Sequence, residues 1–142
     1  MAAEGLAGRW RLLSWPARTA AGDVTCPFGE RAQGSAVHTP GGRISGTLAY
    51  GDRADLATGD VVGGSEEERA AAFSTYLSYC GTYEVEGDVV VHHIEMSLFP
   101  NWVGGEQRRQ FELSDGKLVL RTPPLETGGD VIVNELRWIR EE

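Results

Sequence analysis

Lysine is almost missing from this chain: Lys117 stands alone beside twelve arginines. No run of basic residues occurs anywhere, and the formal net charge is −8. Nucleic acid and anionic membranes both demand a basic face, so neither is expected as a partner. Cysteine is scarce as well. Cys26 and Cys80 are the two thiols, too few for a disulfide scaffold, and are read as free and partly buried. Apolar runs extend only a few residues, far short of a membrane span. The first residues, Met1-Ala2-Ala3-Glu4-Gly5, lack the basic and apolar regions of a secretory leader, which leads to the expectation of a soluble, cytoplasmic protein. There is no Gly-x-Ser-x-Gly nucleophile motif and no glycine-rich phosphate loop following a strand. The excess of arginine over lysine, with abundant alanine and glycine, is read as the mark of a GC-rich bacterial gene.

What remains is an ordinary globular mixture, 41% hydrophobic and 24% charged. Its 142 residues suffice for a core without metal or disulfide staples, and residues 1–142 are read as one domain. Nineteen glycines and recurrent turn signals cut the chain into short apolar runs, the pattern of an all-β fold. Trp10 to Trp15 is the first strand, and residues 17–34 are read as a long loop. Ser35 to Thr39 and Arg43 to Tyr50 form a hairpin over Pro40-Gly41-Gly42. Thr82 to Glu86 pairs with Val89 to Leu98, and Glu106 to Leu113 with Lys117 to Thr122. Val131 to Arg140 is the last strand. About eight to ten antiparallel strands without an obvious protected edge predict closure into a barrel with room for side chains or one small ligand.

One helix interrupts the strands. Ser65 is a good N-cap, and Glu68 completes a capping box. Ala70, Phe73, Leu77 and Cys80 follow at helical spacing, predicting about four turns with one apolar stripe. The helix is expected near the barrel mouth, with Tyr76 and Tyr79 at its end lining the opening. The glycines of the Gly51 to Gly64 loop beside it would let that loop move as a lid.

Several stretches carry a family resemblance. Gly8-Arg9-Trp10 with Arg140 is similar to the lipocalin Gly-x-Trp and its basic partner. Tyr79-Cys80-Gly81-Thr82-Tyr83-Glu84-Val85, His92-His93-Ile94-Glu95 and Ser97-Leu98-Phe99-Pro100-Asn101-Trp102-Val103-Gly104, followed by Glu106-Gln107, Arg109 and Phe111, resemble the bacterial and fungal lipocalin-like domain family. Cys26-Pro27-Phe28-Gly29-Glu30 and Thr39-Pro40-Gly41-Gly42 match its early loop and turn. The resemblance spans nearly the whole chain and implies a lipocalin-like barrel. The chain departs from the family at His38, where an aromatic residue, often tyrosine, is usual. Related barrels in biosynthetic clusters act as cofactor-free cyclases or isomerases, and others only bind ligands, so the fold alone does not choose.

Strand alternation sorts the polar candidates. Gln107, Arg109, Phe111 and Leu113 share the face expected inside, since Glu106, Arg108, Gln110 and Glu112 are uniformly hydrophilic. A buried guanidinium is costly unless paired, so Arg109 either meets an interior carboxylate or binds a ligand oxygen. In the preceding hairpin a two-residue Gly87-Asp88 turn puts Tyr83, Val85, Val90, His92, Ile94 and Met96 inside. A three-residue loop would put His93, Glu95 and Ser97 there instead. The first is preferred, because it keeps Glu84 and Glu95 in water, although a one-residue slip reverses it. His92 then titrates near the ligand or rests as a buried neutral imidazole. Adjacent His92 and His93 cannot chelate one ion together, so neither a metal nor another cofactor is expected. Trp102 and Tyr50 either rim the cavity mouth or cap the core.

These readings predict a cofactor-independent cyclase or isomerase of small-molecule biosynthesis acting on an apolar substrate. Arg109, His92 and Tyr83 would carry the chemistry. Gln107, Phe111, Trp102, Tyr50, His38, Tyr76, Ile94 and Met96 would hold the substrate. The alternatives are a non-catalytic carrier for an apolar ligand with one acidic or carbonyl group, and an interaction domain with a filled barrel. Cavity volume separates the last from the others. The composition leaves the oligomeric state open, a homodimer included.

Overall fold

A computed structural model describes residues 5–141. Residues 1–4, on which the reading of a missing leader largely rests, lie outside the described residues. Eight antiparallel strands form a closed barrel: β1 (Gly8–Ser14), β4 (Gln33–His38), β5 (Arg43–Ala49), β6 (Tyr76–Glu86), β7 (Val89–Ser97), β8 (Glu106–Ser114), β9 (Lys117–Arg121) and β11 (Asp130–Arg140). They are neighbours in that order, and β1 pairs with β11 to close the circle. Three short strands add to this frame. β2 (Ala17–Thr19) pairs with β11, β3 (Val24–Thr25) with β2, and β10 (Leu125–Thr127) with β11. The stretch 17–34, expected to be irregular, therefore holds β2, β3 and the start of β4. Ladder pairing satisfies backbone groups that a loop would have left to water. Among the described residues no helix is long and apolar enough to cross a membrane.

The turns follow their residues. Ser114 pairs with Lys117 across Asp115 and Gly116, both at positive φ (50° and 76°). Aspartate and glycine reach that region most easily, and its twist suits a two-residue hairpin. The Gly87-Asp88 loop also has two residues, because Glu86 pairs with Val89 and Val85 with Val90. The register follows from it: Tyr83, Val90, His92 and Ile94 are buried. His93 faces outward, where its Nε2 lies 2.8 Å from Glu84.

The alternation fails for Met96. Cys80 pairs with Met96 but Gly81 with Ile94, so Glu95 is an extra, bulged residue on β7. The bulge turns Met96 outward to 65% exposure, against the expectation that it lies inside. Gly81 is required there. A Cβ at that position would stand 1.8 Å from the His93 carbonyl oxygen.

The helix is shorter than its periodicity implies. α1 spans Glu66–Ser74, starts from the expected Ser65–Glu68 capping box and buries none of its residues. Thr75 ends it with its hydroxyl on the carbonyls of Ala71 and Ala72. Tyr76, Leu77 and Cys80 then lie on β6, with Ala49, Leu48 and Ser45 of β5 as ladder partners. Their helical spacing is coincidental, and the four-turn stripe does not exist. The aromatic and polar run Tyr76-Leu77-Ser78-Tyr79 suits a pleated, half-buried surface, and pairing with β5 decides the matter.

One end of the barrel is filled. Leu6, Trp10, Val90 and Leu118 are fully buried in a cluster with Leu12, Ile44 and Leu120. The Arg140 guanidinium stacks 4.3 Å from the Trp10 ring centroid and donates to the carbonyls of Ala7 and Gly5. The Trp10 indole donates to the Leu6 carbonyl, so this end is closed and satisfied.

Candidate functional site

The other half of the barrel is hollow. A cavity of about 760 Å³ opens there, well within the range of small-molecule sites and too large for a filled barrel. Its walls are mainly apolar and include Ala36, Ile44, Leu48, Leu77, Leu120, Leu136 and Trp138. Aromatic rings rim it. Phe28 lies between Trp15 and Tyr50, with both centroid distances at 4.7 Å, and the Tyr50 hydroxyl holds the rim by donating to the Pro27 carbonyl. On the other side Trp102 stands edge-on to Tyr79 and Phe99. Phe73 from α1 also lines the opening, whereas residues 51–64 do not reach it.

Among the polar groups in this lining one is charged. Alternation along β8 brings Arg109 inward, 9% exposed. Its Nη1 donates to the Arg108 carbonyl and its Nη2 to Gln107 Oε1. Among the described residues no carboxylate lies within ion-pair distance of it. The first alternative for Arg109, an interior salt bridge, is thereby removed. Burial pulls its pKa down from the usual arginine value, and neighbouring Tyr79 opposes that. A guanidinium nonetheless stays charged in a protein. The cavity therefore holds one cation without a counterion.

Beside it runs a chain of three rings. The Tyr79 hydroxyl lies 2.6 Å from His92 Nδ1, and His92 Nε2 lies 3.0 Å from His38 Nε2. His38 is 1% exposed, and its Nδ1 has no partner. Burial holds its pKa down at about 4. Burial also drives His92 well below the ordinary histidine value, and His38, Arg109 and His93 push the same way. Both imidazoles are therefore neutral at pH 7, and each carries one ring proton. Burial raises the Tyr79 hydroxyl, while Arg109 pulls it back. Two arrangements satisfy the chain. Tyr79 donates to His92 and His92 to His38, or His38 donates to His92 and His92 to the Tyr79 oxygen. In the second, the phenol hydrogen is left for another acceptor.

Of the residues expected to meet a ligand, Arg109, His92, Trp102, Tyr50 and His38 line the cavity. Gln107, Phe111, Tyr76, Ile94, Met96 and Tyr83 do not. Gln107 positions Arg109 instead. Phe111 and Ile94 are packing residues, one against the core cluster and the other 3% exposed. Tyr76 lies under the Arg53 guanidinium, because β6 begins at that residue. The Tyr83 hydroxyl donates to the Thr39 carbonyl, and its ring packs edge-on against His38. Tyr79, expected to line the opening from the end of a helix, lines the cavity from β6 instead and there meets His92. The sequence reading missed Thr122 and Asn134, which are buried polar residues on the cavity wall. Their signal was the one that singled out Arg109, a polar residue on an apolar face. Among the described residues no three His, Cys, Asp or Glu side chains gather as a metal-ligand set.

Residues 7–141 match the family model described as lipocalin-like domain. The chain is 33% identical over 88 residues to the 4'-hydroxy-3'-methoxypropiophenone carrier protein of Aspergillus oryzae, covering 56% of this chain and 79% of that protein. Among solved structures it is similar to a lipocalin-like protein from Bacteroides uniformis, with a TM-score of 0.49, 14% identity and coverage of 96% and 98%. An uncharacterised protein from Bacteroides eggerthii gives 0.46, 15%, 94% and 98%.

Proposed function

The chain belongs to the lipocalin-like domain family, and from that premise we propose that it binds one small, largely apolar organic molecule at a carbonyl or acidic oxygen and isomerises or cyclises it without a cofactor. The observation that carries this reading is Arg109, a buried cation with no carboxylate beside it, on the wall of an apolar cavity. Water alone compensates a buried charge poorly, and an oxygen on the ligand would do so.

Arg109 would polarise that oxygen in the ground state and stabilise negative charge as it develops. The proton relay in this proposal is Tyr79–His92–His38, in place of the role expected for Tyr83. Tyr79 would take a proton from one atom of the ligand while passing its own to His92, and in the reverse step return a proton to another atom while taking one back from His92. An isomerisation returns the proton at a different atom, so the protein ends as it began. For a cyclisation, confinement supplies most of the gain, which reaches about 7–11 kcal/mol in well-oriented cases.

A carrier role is the second reading, favoured by the similarity to the Aspergillus carrier protein. The same residues would then supply affinity alone. Native mass spectrometry of the purified protein, with extraction and identification of bound material, tests the shared part. Incubating the identified compound with fresh protein separates the two: altered product supports the enzyme, and unchanged compound supports the carrier. Turnover unaffected by Arg109→Ala would overturn the mechanism.

A further inference from the structure

Thr122 and Asn134 narrow the chemistry of the ligand. The Thr122 hydroxyl oxygen accepts from the Asn134 backbone N–H at 3.0 Å and from Asn134 Nδ2 at 3.3 Å. Asn134 Oδ1 accepts the Trp15 indole N–H at 2.8 Å, which fixes the orientation of the amide. With its oxygen accepting twice, Thr122 still has a hydroxyl hydrogen to donate, and the Asn134 amide has a second N–H. Neither hydrogen meets an acceptor among the described residues. Both side chains are buried, 7% and 5% exposed, on the cavity wall.

They share this wall with Arg109. The β8–β9 ladder ends at Gln110–Arg121, one residue from Arg109 on one strand and from Thr122 on the other, and both side chains line the same cavity. Thr122 in turn donates its backbone N–H to the Asn134 carbonyl. Arg109 has five N–H groups and spends two on protein oxygens. Three guanidinium hydrogens, one amide hydrogen and one hydroxyl hydrogen without a protein acceptor thus belong to residues lining one cavity, whose wall carries a positive charge and no acid among the described residues. A lone carbonyl oxygen offers two lone pairs and no charge, which cannot satisfy such a set. An anion spread over two oxygens offers about four acceptor sites and matches the guanidinium fork.

We propose that the Arg109–Thr122–Asn134 station binds an organic anion whose charge is shared by two oxygens, a carboxylate or the enolate of a 1,3-dicarbonyl. Arg109 takes both oxygens, and Thr122 and Asn134 donate to the outer lone pairs. The apolar remainder of the ligand fills the cavity. This rests on the ligand-binding reading above and specifies its oxygen chemistry.

Calorimetric titration with three probes of equal carbon count tests it: 4-phenylbutanoate, 1-phenylbutane-1,3-dione and the monoketone 1-phenylbutan-1-one, in mildly alkaline buffer that ionises the dione. The expected result is that at least one anion binds about tenfold or more tighter than the monoketone. Which of the two leads distinguishes carboxylate from enolate. Arg109→Gln should erase the preference, Thr122→Val should cut it about threefold to tenfold, and Thr122→Ser should restore it. Circular dichroism and unfolding curves establish that each variant folds. A monoketone bound as tightly as both anions overturns the two-oxygen inference and leaves the ligand-binding reading intact. No binding of any probe, with nothing co-purifying from cells, overturns both. Anion preference that survives Arg109→Gln places the anion elsewhere and also overturns the inference.

Discussion

Two arginines enter the barrel interior, and they are treated in opposite ways. Arg140 lies on the Trp10 ring and gives its hydrogens to the carbonyls of Gly5 and Ala7. Its charge is spread over an aromatic face and two dipoles at the closed end. Arg109 has a glutamine oxygen and one carbonyl, and faces a cavity of about 760 Å³. The first arrangement uses a cation to seal a fold. The second retains one where sealing is incomplete, which costs stability and which the proposed function uses to recognise a ligand oxygen. The difference between these ends separates residues that make the barrel from residues to which the proposal assigns a function.

The largest effect belongs to the sealed end. Trp10→Ala removes the largest fully buried side chain and should cost about 3–5 kcal/mol in denaturant unfolding. It also leaves Arg140 without its aromatic partner. A loss below about 1 kcal/mol would mean that the closed end does not anchor the barrel, and the contrast between the two ends would break.

Acid should act on the hollow end next. Above pH 6.5 His38 is neutral whether folded or unfolded and contributes nothing to the pH dependence. Between 6.5 and about 4 only the unfolded chain takes up the proton, because burial holds the folded pKa at about 4. Stability therefore falls as pH falls through this window, by about 3 kcal/mol for His38 alone. His92, shifted the same way, adds to the loss. Unfolding midpoints measured across this range should flatten in His38→Phe, and an unchanged slope would mean that these imidazoles do not stay neutral in the fold.

Arg109→Met sharpens the comparison from the other side. Replacing an unpaired buried cation with an apolar chain of similar length should raise stability by about 1–3 kcal/mol while removing ligand affinity. The corresponding change at Arg140 should lower stability, since its bonds are made. Thermal unfolding of the two variants side by side measures the opposition directly. Equal destabilisation would mean that Arg109 is as structural as Arg140.

Much of this architecture is legible in the alternation of the strands. The hydrophilic outer row of β8, Glu106, Arg108, Gln110 and Glu112, points Arg109 inward, and the two-residue Gly87-Asp88 turn does the same for His92. The same rule applied to Leu118, Leu120 and Thr122, and to Ile132, Asn134 and Leu136, exposes the other two donors, buried polar residues among apolar ones. Where the rule fails, a local event overrides it. The bulge at Glu95 that reverses Met96 depends on the close approach of two backbones at Gly81, which no one-strand pattern contains. Tyr79 is hidden for a different reason. Phe73, Leu77 and Cys80 fit a helix as well as they fit nothing else, and only the pairing of Leu77 with Leu48 and Cys80 with Ser45 resolves the choice. The His92–His38 contact joins β7 to β4 across the interior, a relation that exists only after closure.

The smallest expected effect lies at α1, and its size follows from the same division of the molecule. Ser65 and Glu68 satisfy each other's backbone N–H groups, and Glu68 also accepts from Ala57, so the helix is well started. In isolation Ser65→Ala would cost such a helix about 0.5–2 kcal/mol. Yet α1 buries no residue, and the barrel closes without it through the pairing of β1 with β11. Its fraying should leave global unfolding nearly unchanged and appear as faster amide exchange confined to residues 65–75. Phe73 and Ser74 of α1 line the cavity, so the same variant should release a bound ligand faster while its unfolding midpoint stays in place. A matching drop in global stability would show that the mouth is tied to the sealed end, and that the barrel is one cooperative unit throughout.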